Sequence, residues 1–124
     1  MLIAASIFTL LAVALHIFIW VLESFLWDKP RGMKVFNLTP EKAAVTKEMA
    51  VNQGLYNLFL ALIALVGILG VWASAPWGAA LVYAGAGSMA AAGIFLFATS
   101  PDKRRPALIQ TSFPALAVLS LLLV

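Results

Sequence analysis

Residues 2–27, LIAASIFTLLAVALHIFIWVLESFLW, decide the fold. The run holds a single carboxylate, Glu23, a single imidazole, His16, and no lysine or arginine. As a helix rising 1.5 Å per residue it is longer than the hydrocarbon core of a bilayer, about 30 Å thick. It lacks the basic leader of a signal peptide and its positive charges follow it, so it reads as an uncleaved first span. Three further apolar runs, at about 43–71, 78–98 and 107–124, have the same character.

The composition agrees with that reading. Of 124 residues, 64% are hydrophobic and 10% charged, with a mean hydropathy of +1.03, whereas soluble domains carry about 25% charged residues. Thirteen charged side chains cannot cover a water-facing surface on such a chain; a bilayer removes the need. The predicted fold is all-α: an integral membrane four-helix bundle forming a single domain over residues 1–124. The net charge of +3 does not point to nucleic acid, because all eight Lys and Arg lie in two short stretches beside apolar helices. There they set topology and meet lipid headgroups. The absence of cysteine removes thiolate chemistry and Cys-ligated metals, and one histidine without clustered acids argues against a metal site. No cofactor is expected.

Lys29, Arg31, Lys34, Lys42 and Lys47 lie between or beside spans one and two, and Lys103, Arg104 and Arg105 between spans three and four. The link around Ser74, Ala75, Pro76 and Trp77 carries no charge. The positive-inside rule therefore predicts that loops 28–42 and 99–106 face the cytoplasm, with both termini outside the inner (plasma) membrane. Thr39-Pro40-Glu41 and Ser100-Pro101-Asp102 both resemble helix starts, with a hydroxyl cap, proline in the first turn and an acid following. Glu48 is expected to pair with its neighbour Lys47 at the interface.

The polar residues inside the spans form a pattern. Thr9, His16, Trp20, Glu23 and Trp27 fall within about 60° of arc on the first helix. Ionisable groups in a span are costly and face the bundle interior. The second span supplies Asn52, Gln53, Tyr56 and Asn57. The fourth supplies Gln110, whose backbone carbonyl loses its helical donor at Pro114. Counted from the charged ends, Glu23, Asn52, Gln53 and Gln110 lie at one depth, about 6–9 Å in, and His16 with Asn57 at another, about 15–17 Å. The expectation is a polar cavity entered from the cytoplasm and lined by His16, Trp20, Glu23, Asn52, Gln53, Tyr56, Asn57 and Gln110. It would bind or transport a small amphipathic or cationic molecule, with Glu23 as counter-charge and Trp20 with Tyr56 as aromatic walls.

Two alternatives stand beside it. His16 and Glu23 could be the acid–base pair of an enzyme acting on a lipid-soluble substrate, although about 10.5 Å of helix separates them. Or the polar residues only fix helix register, as Asn and Gln in spans commonly do. The third span, with Gly85, Gly87, Ser88, Ala91, Ala92 and Gly93, is built for close backbone approach. That face suits packing within the chain or between copies in a homo-oligomer.

The stretch HIFIWVLESFLW at 16–27, Phe36, the run Asn52-Gln53-Gly54-Leu55-Tyr56-Asn57, and Gln110 with Pro114 and Ala115 carry a resemblance. Across essentially its whole length the chain resembles the Domain of Unknown Function 1304 family of short four-span membrane proteins. Thr111 is a departure, since the resemblance implies glycine after the glutamine. The resemblance implies a four-helix membrane bundle and supplies no activity, substrate or cofactor.

Overall fold

The computed structural model describes residues 1–124 and contains helices without strands. Four helices are long and apolar enough to cross a membrane: α1 (Leu2–Ser24), α3 (Pro40–Trp72), α4 (Gly78–Thr99) and α5 (Arg104–Leu122), the last preceded by a 3-10 turn at Pro101–Lys103. The chain is a multi-pass membrane protein. A fifth, short helix, α2 (Pro30–Phe36), lies between the first two spans. The 33 residues of α3 make a rod of about 50 Å, longer than the hydrocarbon core. Its first turns, with Glu41, Lys42, Lys47 and Glu48, extend toward the headgroups at the charged end.

The long helices run up, down, up and down. Both α3 and α5 lie beside α1, and the same two flank α4, so α1 faces α4 across one diagonal and α3 faces α5 across the other. Small side chains dominate the centre: Ala5, Ala12, Ala61, Ala64, Ala86 and Ala117 are completely buried. Lipid tails are as apolar as leucine, so helices in a bilayer associate through close packing and hydrogen bonds. Glycine supplies the closest approach. A Cβ at Gly67 would sit 2.6 Å from the Val82 nitrogen, and one at Gly85 would sit 2.8 Å from the Ala64 nitrogen, so α3 and α4 touch backbone to backbone. Gly93 of α4 meets Thr111 of α5, whose hydroxyl donates to the Ala107 carbonyl at 2.8 Å. The small-residue face of α4 is thus used largely within the chain, and Gly87 alone of these glycines has open space beside it.

The helix starts differ from one another. Thr39 caps α3, its hydroxyl accepting from the Lys42 N–H at 3.2 Å, as the sequence predicts. Ser100 makes no side-chain cap, and its segment forms the 3-10 turn instead.

The stretch 28–42 is not simply a charged loop. Pro30 opens α2, and Asn37 closes it in the left-handed region at φ 53°, a conformation asparagine tolerates better than most residues. Phe36 packs with Ile19 and Leu22, and its ring lies 5.1 Å from that of Trp27. The Arg31 guanidinium lies 5.4 Å from the centre of the Phe18 ring. Gly32 lets the helix settle on the end of α1, where an added Cβ would stand 2.7 Å from the Leu26 carbonyl carbon. The helix is apolar toward α1 and basic outward, the pattern of helices that lie along a membrane interface.

Enlarging Gly67 to leucine forces α3 and α4 apart and lowers resistance to denaturant unfolding in detergent by about 1–3 kcal/mol or more. Gly87→Leu, in open space, changes it little; equal losses at the two positions would contradict the packing described.

Candidate functional site

A line of polar contacts joins α1 to α3 from end to end. Near the uncharged end the Trp72 indole N–H donates to Ser6 Oγ at 2.8 Å. Within the bundle the Asn57 amide donates to Glu23 Oε1 at 2.5 Å and to its own helix at the Gln53 carbonyl, 3.3 Å away. The next residue, Ser24, donates its hydroxyl to the Val51 carbonyl at 3.0 Å. That approach requires Gly54, because a Cβ there would be 3.0 Å from the Glu23 Cβ and closer still to the Ser24 hydroxyl. Beyond the end of α1, the Trp27 indole donates to Thr46 Oγ1 at 3.0 Å, and Lys47 pairs with Asp28 at 2.9 Å. Lys47 therefore pairs across to the first loop and not with Glu48. Its hydrogen bond holds the Asp28 carboxyl below the usual carboxylate range.

Glu23 and Asn57 are buried, at 2% and 8% exposure. His16, completely buried, donates from Nδ1 to the Ala12 carbonyl at 2.9 Å, which leaves Nε2 as a free acceptor. Nε2 is the one enclosed side-chain polar atom in the chain without a hydrogen-bond partner. Such an atom costs about 1–3 kcal/mol relative to a satisfied one. Thr9, also buried, satisfies itself on the Ala5 carbonyl.

The eight residues of the expected cavity fall in four places. His16, Glu23 and Asn57 are interior. Trp20 and Asn52 line a groove of about 700 Å³ on the outer side of the α1–α3 seam, together with Ser24, Phe25, Glu48 and Leu55. Gln110 lines a different cleft, between α1, α2 and α5. Gln53 and Tyr56 are exposed on α3, Tyr56 at 62%. These residues do not converge on one cavity, because α3 and α5 sit on opposite flanks of α1. Nor do the expected levels hold, since Glu23 bonds Asn57, which counting along the helices places deeper.

Sequence reasoning did not single out Ser24 or Phe25, named Gly54 only within the run 52–57, and gave Glu48 to an ion pair instead of the groove. The signals were present, since Ser24 adjoins Glu23 and Gly54 interrupts the polar run of α3. The groove's chemistry is mixed: two aromatic rings, one carboxylate, one amide and an aliphatic wall. No group of three or more His, Cys, Asp or Glu side chains is placed to hold a metal.

The model of a family described as protein of unknown function (DUF1304) matches residues 10–122, and the chain belongs to that family. The match includes His16, Glu23, Asn57 and every residue of the groove. No curated protein and no solved structure matches the chain.

Asn57→Leu strips the buried Glu23 carboxylate of its donor and lowers unfolding stability by about 1–3 kcal/mol. Glu23→Gln, which keeps an acceptor oxygen, costs less, and His16→Leu, which deletes an unpartnered atom, leaves stability unchanged or higher. Denaturant titration in detergent checks all three; a parent-like Asn57→Leu would refute the role given to the bond.

Proposed function

For this member of the DUF1304 family we propose a binding role: the groove between α1 and α3 takes a small amphipathic cation from the adjoining bilayer. The observation that carries the reading is that Trp20, Phe25 and Glu48 line one groove. The Trp20 and Phe25 rings meet edge to face with centroids 5.5 Å apart, which fixes the indole plane. A cation near Trp20 gains from the ring's negative face and from the Glu48 carboxylate, and both gains are larger out of water. Met49, Val51 and Leu55 offer the aliphatic wall for the apolar part of the molecule. The volume lies in the range of small-molecule sites, about 300–1,000 Å³.

The distribution of Lys and Arg favours placing this end of the bundle at the cytoplasmic face of the inner membrane. Behind the groove floor, which the Ser24–Val51 bond forms, Glu23 is held by Asn57. In this reading Glu23 is a positioning residue for the seam, and the contact that would have to open before a ligand could pass between α1 and α3.

Tetraphenylphosphonium, a lipophilic cation, is a suitable probe for equilibrium binding to the protein in nanodiscs. Trp20→Ala and Glu48→Gln each weaken binding by about 2- to 30-fold, the range of a cation–π contact. Glu41→Gln, outside the groove, leaves it unchanged. Identical affinity in the parent and the two groove variants would refute the proposal.

A further inference from the structure

We propose that the cleft between α2 and α5 is a second binding site, for an anionic phospholipid of the surrounding bilayer. The cleft shares no residue with the groove on the α1–α3 seam. It consists of two adjoining spaces. The outer, of about 290 Å³, is lined by Lys34, Val35, Arg105, Pro106 and Ile109. The inner, of about 180 Å³, shares Val35, Pro106 and Ile109 and is walled by Leu15, Phe18, Ile19, Leu22 and Phe36, with Gln110 as its polar member. A basic mouth thus opens directly into an apolar slot.

The charges at the mouth are uncompensated. The two salt bridges of the chain, Lys47–Asp28 and Lys103–Asp102, involve neither Lys34 nor Arg105. No acid lines either space. Arg31 adds a third cation at the rim, held over Phe18, which itself walls the slot. Two facing basic side chains with no carboxylate call for an anion, and a phosphodiester accepts from guanidinium and ammonium together. The slot settles what kind of anion. Phe18, Val35 and Ile109 are 39%, 38% and 48% exposed, so they bridge the slot to the lipid-facing surface. A phosphate at the mouth therefore places its acyl chain in the slot and out along α1 and α5. Basic pockets at the headgroup level, between membrane helices, bind anionic lipids in this way. The short helix α2 is what makes the site, since it carries Lys34 and closes the slot with Val35 and Phe36.

The test reconstitutes the full chain in vesicles of equal phosphatidylglycerol and phosphatidylcholine, extracts it in mild detergent, and counts retained lipid by native mass spectrometry. The parent retains phosphatidylglycerol in preference to phosphatidylcholine, and excess soluble glycerol phosphate does not displace it. The pair Lys34→Glu and Arg105→Glu lowers that retention by about tenfold or more, the loss expected for two basic contacts. The pair Lys29→Glu and Lys42→Glu, with the same change of charge, keeps it. Ile109→Trp, which fills the slot without altering charge, also lowers it. The proposal is overturned if the parent retains both lipids equally, if the control pair loses as much as the mouth pair, if Ile109→Trp retains lipid like the parent, or if glycerol phosphate displaces it.

Discussion

The hydrogen bond from Asn57 to Glu23 is the contact on which the arrangement of α1 and α3 depends. A carboxyl group at 2% exposure inside a bilayer helix needs a donor, and water cannot supply one in hydrocarbon. Asn57 supplies it, and to do so α3 must lie close against α1. Gly54 permits that distance by omitting a side chain, and Ser24 turns the closeness into a second bond at the Val51 carbonyl. The pairings of Trp72 with Ser6 and of Trp27 with Thr46 repeat the same register at the two ends. Register along this seam is therefore set four times by polar groups, and the apolar residues need only fill space.

The other contacts use a different device. The α3–α4 and α4–α5 faces have no hydrogen bond between side chains, and they rely on Gly67, Gly85 and Gly93 with buried alanines. Thr111 belongs to this pattern. Its hydroxyl satisfies itself on the Ala107 carbonyl and packs on Gly93, so the small residue of this pair lies on α4. Helix α1 consequently has two distinct flanks: toward α3 a polar seam with an aromatic and acidic groove, toward α5 an apolar slot beneath a basic rim. The opposite charge of the two openings is a direct consequence of Glu48 lying on α3 and of Lys34 and Arg105 lying on α2 and α5.

The spans were legible in the sequence because the bilayer is a solvent with one demand, an unbroken run of apolar residues, and four such runs are present. Thr39 as a cap was legible for the same local reason. The candidate site was legible only in part: of the eight expected residues Trp20 and Asn52 line the groove, while Glu48 was assigned to an ion pair with Lys47. Counting residues along each helix could not give which flank of α1 Asn52, Asn57 and Gln110 would meet, nor that Asn57 would reach Glu23. Helix α2 was hidden because seven residues with three charges or prolines produce no hydropathy signal; its stability comes from Phe36 and Gly32 seated on α1. The partner of Lys47 was hidden too, since Asp28 reaches it only once α1 and α3 are side by side.

The chain contains no cysteine, so pairs introduced by substitution report proximity without interference. The most direct measurement is disulfide formation in membranes for two such pairs. Ser24→Cys with Val51→Cys joins residues facing each other across the α1–α3 seam, and Asn52→Cys with Gln110→Cys joins residues on opposite flanks of α1. The structure predicts rapid crosslinking of the first pair and none of the second. Ready crosslinking between positions 52 and 110 would mean that the polar residues do form one central cavity, and would contradict the division into a seam and two separate openings.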